Sequence, residues 1–274
     1  MTTVLTTGPL LASLLLASAP AAAPPFSPGE KLHYKGYVLG WIPVGDVWFE
    51  VKKDTHEGKE VYRFDARASG SYLVYTLDIR MTSLVDPVTL RSEEFRRREV
   101  GTEKRDNRVL FDRDRSKGTF LRKKGRFSSV AKMDAAPWER RAVFPIHGEV
   151  NDILYTLYFA RGIGDAVGTR VNYWFVENRD VWKTRVTVAG EQKLPLGKLG
   201  TFDALEITIE PDYSKDENAG RKFSGLFGVQ GTLNVLVDKK TRIPLIVSGE
   251  LPFAIFRPTV SVVLQDWSLP GKGR

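Results

Sequence analysis

From residue 171 the chain reads as a ruler of period two. Val171, Tyr173 and Phe175 fall on one side and Asn172 and Trp174 on the other. Glu177-Asn178-Arg179-Asp180 then turns the chain, and Trp182, Thr184, Val186 and Val188 return against Lys183, Arg185 and Thr187. Only an extended strand puts every second side chain on one face. The same beat recurs in Phe202 to Ile209, Thr232 to Val237, Ile243 to Ser248 and Thr259 to Trp267, separated by turn-prone pieces such as Asp238-Lys239-Lys240-Thr241. Short β-branched runs at this spacing predict an antiparallel all-β fold. Pro244 and Pro252 suit strand starts or edges, because proline cannot donate to a ladder. So many strands in one flat sheet would leave long exposed edges. The expectation is therefore a strongly twisted antiparallel sheet or an open or closed barrel with one short helix, and the alternative is a two-sheet β-sandwich.

The helix is expected at Asn151 to Gly162 (NDILYTLYFARG), about three turns long. An Asp or Asn cap opens it, Gly closes it, and Ile153, Leu154, Leu157 and Tyr158 share a face. Before it, Ser128 to Glu149 carries Pro137 and Pro145 and no clear period, and reads as a long connection. No internal repeat or composition break divides the chain, so residues 22–274 read as one domain.

Residues 1–21 have the character of a secretory leader. The first charged residue is Glu30, an apolar stretch runs from Leu10 to Ala17, and Ala19-Pro20-Ala21 offers small residues for cleavage, although no early Lys or Arg is present. The apolar run is shorter than the roughly 20 residues a bilayer-spanning helix needs. The expectation is an exported protein, periplasmic or secreted, and soluble. The absence of cysteine excludes disulfides, thiolate metal sites, a cysteine nucleophile and an anchor on an N-terminal cysteine, so it is not read as a lipoprotein. The hydrophobic content of 42% is ample for a core.

The net charge of +8 is concentrated. From Arg91 to Arg126 there are fourteen Lys and Arg against seven Asp and Glu. This segment is expected to form a long hairpin that carries Phe95, Val100, Leu110, Phe111, Phe120 and Leu121 inward. Arg96, Arg97, Arg98, Arg122, Lys123, Lys124 and Arg126 then make a basic patch. One reading of the patch is a solvated face that keeps the hairpin unaggregated. The other is a contact surface for anionic envelope material, lipid or polysaccharide. Nucleic acid is not expected as a partner of an exported chain.

Known catalytic arrangements are missing. His33, His56 and His147 are scattered, and His56-Glu57-Gly58-Lys59-Glu60 lacks the second histidine of a zinc helix and reads as a hairpin turn. There is no Gly-x-Ser-x-Gly elbow. Gly162-Ile163-Gly164 with Gly168 misses dinucleotide spacing, and Gly40 to Gly45 lacks the lysine of a phosphate loop. No two carboxylates stand out as a glycosidase-like pair. The chain is read as non-enzymatic, without cofactor or metal.

Four motifs in order, GEKLHYKGYVLGWIPVGDVWFEV, DILYTLYFARG, PLGKLGTFDALEITI and VDKKTRIPLIVSGEL before a last strand, resemble the bacterial exported-protein family known as domain of unknown function 3108. The similarity runs from about Pro28 to Trp267. It implies a secreted or periplasmic β-rich protein and carries no catalytic signature. Two departures stand out: the Arg91–Arg126 piece is more basic, and the family's aspartate-rich stretch appears as Val237-Asp238-Lys239-Lys240. In this frame Leu32, Tyr34 and Gly36 lie on a first strand, Gly40 to Gly45 bends the chain, and Val47, Phe49 and Val51 run opposite Trp48 and Glu50. Core packing is the preferred reading of Trp41 and Trp48, and a ligand-facing aromatic surface the other. Three roles stay open: an adaptor or binding module for an envelope polymer, lipid or protein; a carrier of a lipid or acyl chain in an apolar groove; and a hydrolase on a β scaffold.

Overall fold

The computed structural model describes residues 24–72, 75–212, 225–250 and 258–270. The expected leader, residues 1–21, and Pro252 lie outside the described residues. The alternating segments do form strands. In chain order these are β1 (Lys31–Val38), β2 (Ile42–His56), β3 (Lys59–Tyr72), β4 (Tyr75–Val85), β5 (Ser92–Glu99), β6 (Arg105–Asp112), β7 (Lys117–Lys123) and β8 (Trp138–Pro145). Then follow β9 (Val150–Asp152), β10 (Arg170–Glu177), β11 (Asp180–Pro195), β12 (Thr201–Pro211), β13 (Gln230–Asp238), β14 (Pro244–Glu250) and β15 (Thr259–Ser268).

All of them join one sheet in the order β8-β7-β6-β5-β4-β3-β2-β1-β15-β14-β13-β12-β11-β10-β9. Every neighbouring pair is antiparallel except β9 with β10. Strands β1 and β15 zip together from Lys31↔Ser268 to Val38↔Val260, which makes two meanders continuous. The expected hairpin of residues 170–188 is present, with Val171 opposite Val186 and Phe175 opposite Trp182. Pro244 opens β14, where its missing N–H costs least.

Among the described residues two α-helices accompany the sheet rather than one. Helix α1 (Val130–Ala135) is capped by the Ser129 hydroxyl, which accepts from Lys132 N. It lies, together with β8, in the stretch read as a structureless connection. Strand β8 escaped detection because it is an edge strand with no buried residue, so its sequence carries no apolar beat. Helix α2 (Ile153–Ala160) is two turns long rather than three, and it starts where the Asp152 carboxylate accepts from Leu154 N and Tyr155 N at 2.9 and 3.0 Å.

A helix that is apolar all round belongs inside, and α2 buries Ile153, Leu154, Tyr155, Thr156, Tyr158 and Ala160. Phe64 meets Tyr158 at 4.6 Å between ring centroids and Phe26 at 4.9 Å. Just past α2, Arg161 forms a bidentate pair with Glu30 at 2.6 and 2.8 Å, with both side chains 2% exposed. Burial pulls the Arg161 pKa down, but hydrogen bonding and charge attraction to Glu30, with Tyr158 and Tyr34 adding to them, together raise it.

The β9 end of the sheet meets β4, β5 and the β6–β7 turn through side chains instead of a ladder. Ser92 N donates to Asn151 Oδ1 at 2.7 Å, and Arg113 Nη2 donates to the carbonyls of Ser92 and Val150, each at 2.8 Å. The Ser83 and Ser92 hydroxyls both donate to Asp152 Oδ2 at 2.6 Å. Burial pushes the Asp152 pKa up, with those hydroxyls and the helix N–H groups pulling it back. At the other end of this seam, Asn107 Nδ2 donates to Asn178 Oδ1 at 3.1 Å.

In the opening stretch, Gly45 lies opposite Gly70, and the strands come too close for side chains. A Cβ on Gly70 would sit 1.9 Å from the Val44 carbonyl oxygen. The core reading of the two tryptophans does not hold. Trp41 is 74% exposed beside the β1–β2 turn, and Trp48 is 38% exposed on the outer face. There His33 stacks on Trp48 at 5.3 Å and Arg67 lies 5.9 Å from its ring. The parity already showed this: Val47, Phe49 and Val51 face inward, so Trp48 cannot.

Candidate functional site

The basic segment is three strands, β5 to β7, rather than one hairpin. Phe95, Val109, Phe111 and Phe120 are buried, whereas Val100, Leu110 and Leu121, expected inward, are only half-buried. This register decides what each cation can do. Arg96, which alternates with Phe95, faces outward and grips the fully buried carboxylate of Asp106 through two hydrogen bonds of 2.9 and 2.6 Å. Hydrogen bonding to Asp106 raises the Arg96 pKa. Arg98 pairs with Asp134 at 2.6 Å and reaches Asp106 at 3.5 Å, and the Arg98 guanidinium holds the Asp134 carboxyl below its usual range. Arg97 pairs with Glu99 at 2.9 Å, and Arg108 with Glu94. Lys123 donates to the carbonyls of Ala136 and Asp134 and lies 4.9 Å from the Trp138 ring. Most of the expected patch is thus neutralised or tied down in place, while Lys124 and Arg126 stand exposed beyond the end of β7.

Arg122 is different. On β7, Gly118 and Phe120 face the core, and Arg122 is the next inward position, at the rim where the core gives way to solvent. It belongs to a cross-strand row, Arg97↔Asn107↔Arg122↔Glu139, that runs over β5 to β8. The β10–β11 turn comes up to this row across the seam, held by Asn107 and Asn178, with Asn178 in the left-handed region at φ 55°. Asparagine is among the residues that tolerate that conformation best.

Between the row and the turn lies an open cleft of about 620 Å³. It is lined by Arg105, Asn107, Phe120, Arg122, Glu139, Arg140, Arg141, Asn178, Arg179 and Asp180. Five arginines and two acidic residues, Glu139 and Asp180, thus line one space. Arg141 is paired with Glu139 at 3.0 Å and Arg105 with Glu103 at 2.8 Å. Arg122, Arg140 and Arg179 have no carboxylate partner among the described residues. Guanidinium forks match carboxylate and phosphate oxygens two at a time, so the arrangement can hold a multivalent anion. It offers no nucleophile of the serine or cysteine kind. Among the described residues no group of His, Cys, Asp or Glu is placed to hold a metal ion.

The cleft joins positions 105, 122, 140 and 179, of which only Arg122 was singled out from the sequence. Arg140 and Arg141 lie in the stretch without period, and Arg179 in a turn. A larger groove of about 1420 Å³ at the opposite end has two ion pairs in its lining, Lys193 with Asp203 at 2.7 Å and Lys239 with Glu191 at 2.8 Å. A third space of about 140 Å³ is apolar and lies beside α2, lined by Val47, Phe49, Leu157, Leu226, Phe227 and Val260 among others.

No curated protein matches the sequence. The fold is similar to a crystal structure described as a beta-barrel-like protein of domain of unknown function DUF1849 from Brucella abortus. The two chains are 11% identical with a TM-score of 0.51, over 89% of this chain and 98% of that one. At that identity the likeness concerns the barrel-like fold alone. The model of the family described as protein of unknown function (DUF3108) matches residues 31–257. With that match spanning most of its length, and all four sequence motifs falling largely on the strands and helix that build the barrel, the chain belongs to the DUF3108 family.

Proposed function

We propose that this protein is a non-catalytic binding module of the cell envelope, exported by its leader, that holds an anionic group of an envelope component in the arginine cleft. One observation carries the reading: Arg122, Arg140 and Arg179 come from three separate elements onto one cleft without carboxylate partners among the described residues, while Arg96, Arg98 and Arg108 on the neighbouring strands are paired. Leaving like charges together costs folding free energy, so their convergence favours a ligand that supplies the missing charge. The carrier reading has less support, because α2 occupies the barrel interior. The remaining 140 Å³ is close to the roughly 150 Å³ of a cavity that holds benzene, too small for a whole acyl chain.

The test is isothermal titration with inorganic pyrophosphate, a compact multivalent anion, at low and high salt. Wild type is expected to bind at one site with an affinity that falls as salt rises. The R122Q/R140Q/R179Q variant, with an unchanged circular dichroism spectrum, is expected to show no such site. Equal binding by the two proteins, or no binding by wild type at low salt, would overturn the reading.

A further inference from the structure

The sheet is a run of hairpins, so its turns sort to two ends. Because β1 pairs with both β2 and β15, and antiparallel order continues outward, the β1–β2, β3–β4, β5–β6 and β10–β11 turns share one rim with the β7–β8 connection. The arginine cleft opens on that rim. So do Lys124 and Arg126, both exposed.

The β1–β2 turn on the same rim breaks a local rule. Its loop is Leu39-Gly40-Trp41, between the paired Val38 and Ile42, and Leu39 and Gly40 have φ of 55° and 81°. The left-handed region favours Gly, Asn and Asp, and a branched apolar side chain gains nothing there. Leu39 nevertheless stands there 54% exposed, next to Trp41 at 74%. Two large apolar side chains are thus held out at a hairpin tip, in a strained position, with no burial in return. Local conflicts of this kind collect at functional sites. Tryptophan, apolar in body with one N–H, suits the boundary between headgroups and acyl chains.

The outer wall has a different character. It carries ion pairs such as Lys35–Asp46 at 3.0 Å and Arg63–Asp65 at 3.0 Å, where a membrane-spanning barrel would need an apolar band. Contact with a bilayer therefore has to be end-on.

We propose that this rim docks on an anionic lipid surface. Leu39 and Trp41 enter the interface, and Arg122, Arg140 and Arg179, with Lys124 and Arg126 beside them, take lipid phosphates. The charged half of this inference rests on the cleft being an anion site, and the apolar half does not. Apolar area and attraction to anionic lipid add in such binding, and neither alone anchors firmly.

The experiment is co-sedimentation of the full chain with phosphatidylcholine vesicles, with and without phosphatidylglycerol, at about 0.15 M salt. It compares wild type, L39N/W41S and R122Q/R140Q/R179Q, with pyrophosphate titration run on each. Asn at position 39 suits the turn, so the tip variant keeps its fold. Wild type is expected to sediment with the anionic vesicles only. The tip variant is expected to partition about tenfold less while binding pyrophosphate as wild type does. The cleft variant is expected to lose both. Equal sedimentation of L39N/W41S and wild type would overturn the docking role of the tip. Failure of wild type to sediment while it still binds pyrophosphate would overturn docking and leave the anion site standing. Failure in both assays would overturn the anion site as well.

Discussion

The same three strands carry two kinds of arginine. Arg96 and Arg98 point away from the core, and each has a carboxylate within reach: Asp106 for the first, Asp134 and Asp106 for the second. Arg122, one strand beyond Asp106, points inward at the rim and shares a cleft with Arg140 and Arg179 without a carboxylate for any of the three among the described residues. In the sequence all of them are equally basic. Ion pairing separates them: an arginine held by a carboxylate contributes to the fold, and one with no carboxylate in ion-pair reach among the described residues is available to something else. A high net charge is therefore a poor guide to where a surface binds, and the pairing of each charge is a better one.

That contrast can be broken from the structural side. Asp106→Ala removes a fully buried carboxylate that two arginines share. It is expected to cost roughly 2–3 kcal/mol, a fall in melting temperature of roughly 4–12 °C in a thermal melt. A loss under about 0.5 kcal/mol would show that the outward arginines are as free as the inward ones. Trp48 tests parity in the same way. On the outer face it has only His33 and Arg67 to lose, so Trp48→Ala should cost about 1 kcal/mol. The roughly 3–5 kcal/mol typical of a core aromatic would return Trp48 to the interior.

A smaller effect concerns Asp152 at the seam. Its folded pKa lies above the usual carboxylate value because of burial, so the native state holds this proton more tightly than the unfolded chain does. The native state therefore carries a penalty that is fully present above the raised pKa and fades as pH falls toward the unfolded value near 3.9. Asp152→Asn keeps an N-cap and removes that titration. The melting temperature of wild type minus that of D152N should rise on going from pH 7 to about pH 4.5. A difference that stays constant or falls would contradict the assignment. The smallest expected effect is on the fold itself when the cleft is emptied of charge. R122Q/R140Q/R179Q should melt within about 0.5 kcal/mol of wild type or slightly above it, since it loses repulsion and no ion pair among the described residues.

Much of the architecture was legible in the residues. The alternation of β10 to β15 was visible because one face of each strand is buried, and the Asp152 cap announced α2. Strand β8 was hidden by its position at the edge, where both faces are wet, and β9 by its length of three residues. Helix α2 looked amphipathic because four of its residues fit one face, whereas its burial is all round. Trp48 was misjudged by weighting size over parity. The cleft was the least visible feature. Its residues come from β6, β7, β8 and the β10–β11 turn, and only closure of the sheet at the Asn107–Asn178 contact brings them together.

The central claim is that Arg122, Arg140 and Arg179 form an anion site and that Arg96 and Arg98 do not. Soaking crystals of the protein in tungstate, a doubly charged and strongly scattering oxyanion, tests it most directly. The expected result is an anomalous peak within hydrogen-bond reach of Arg122, Arg140 and Arg179. An empty cleft, with peaks on Arg96 or Arg98 or nowhere on the chain, would contradict it.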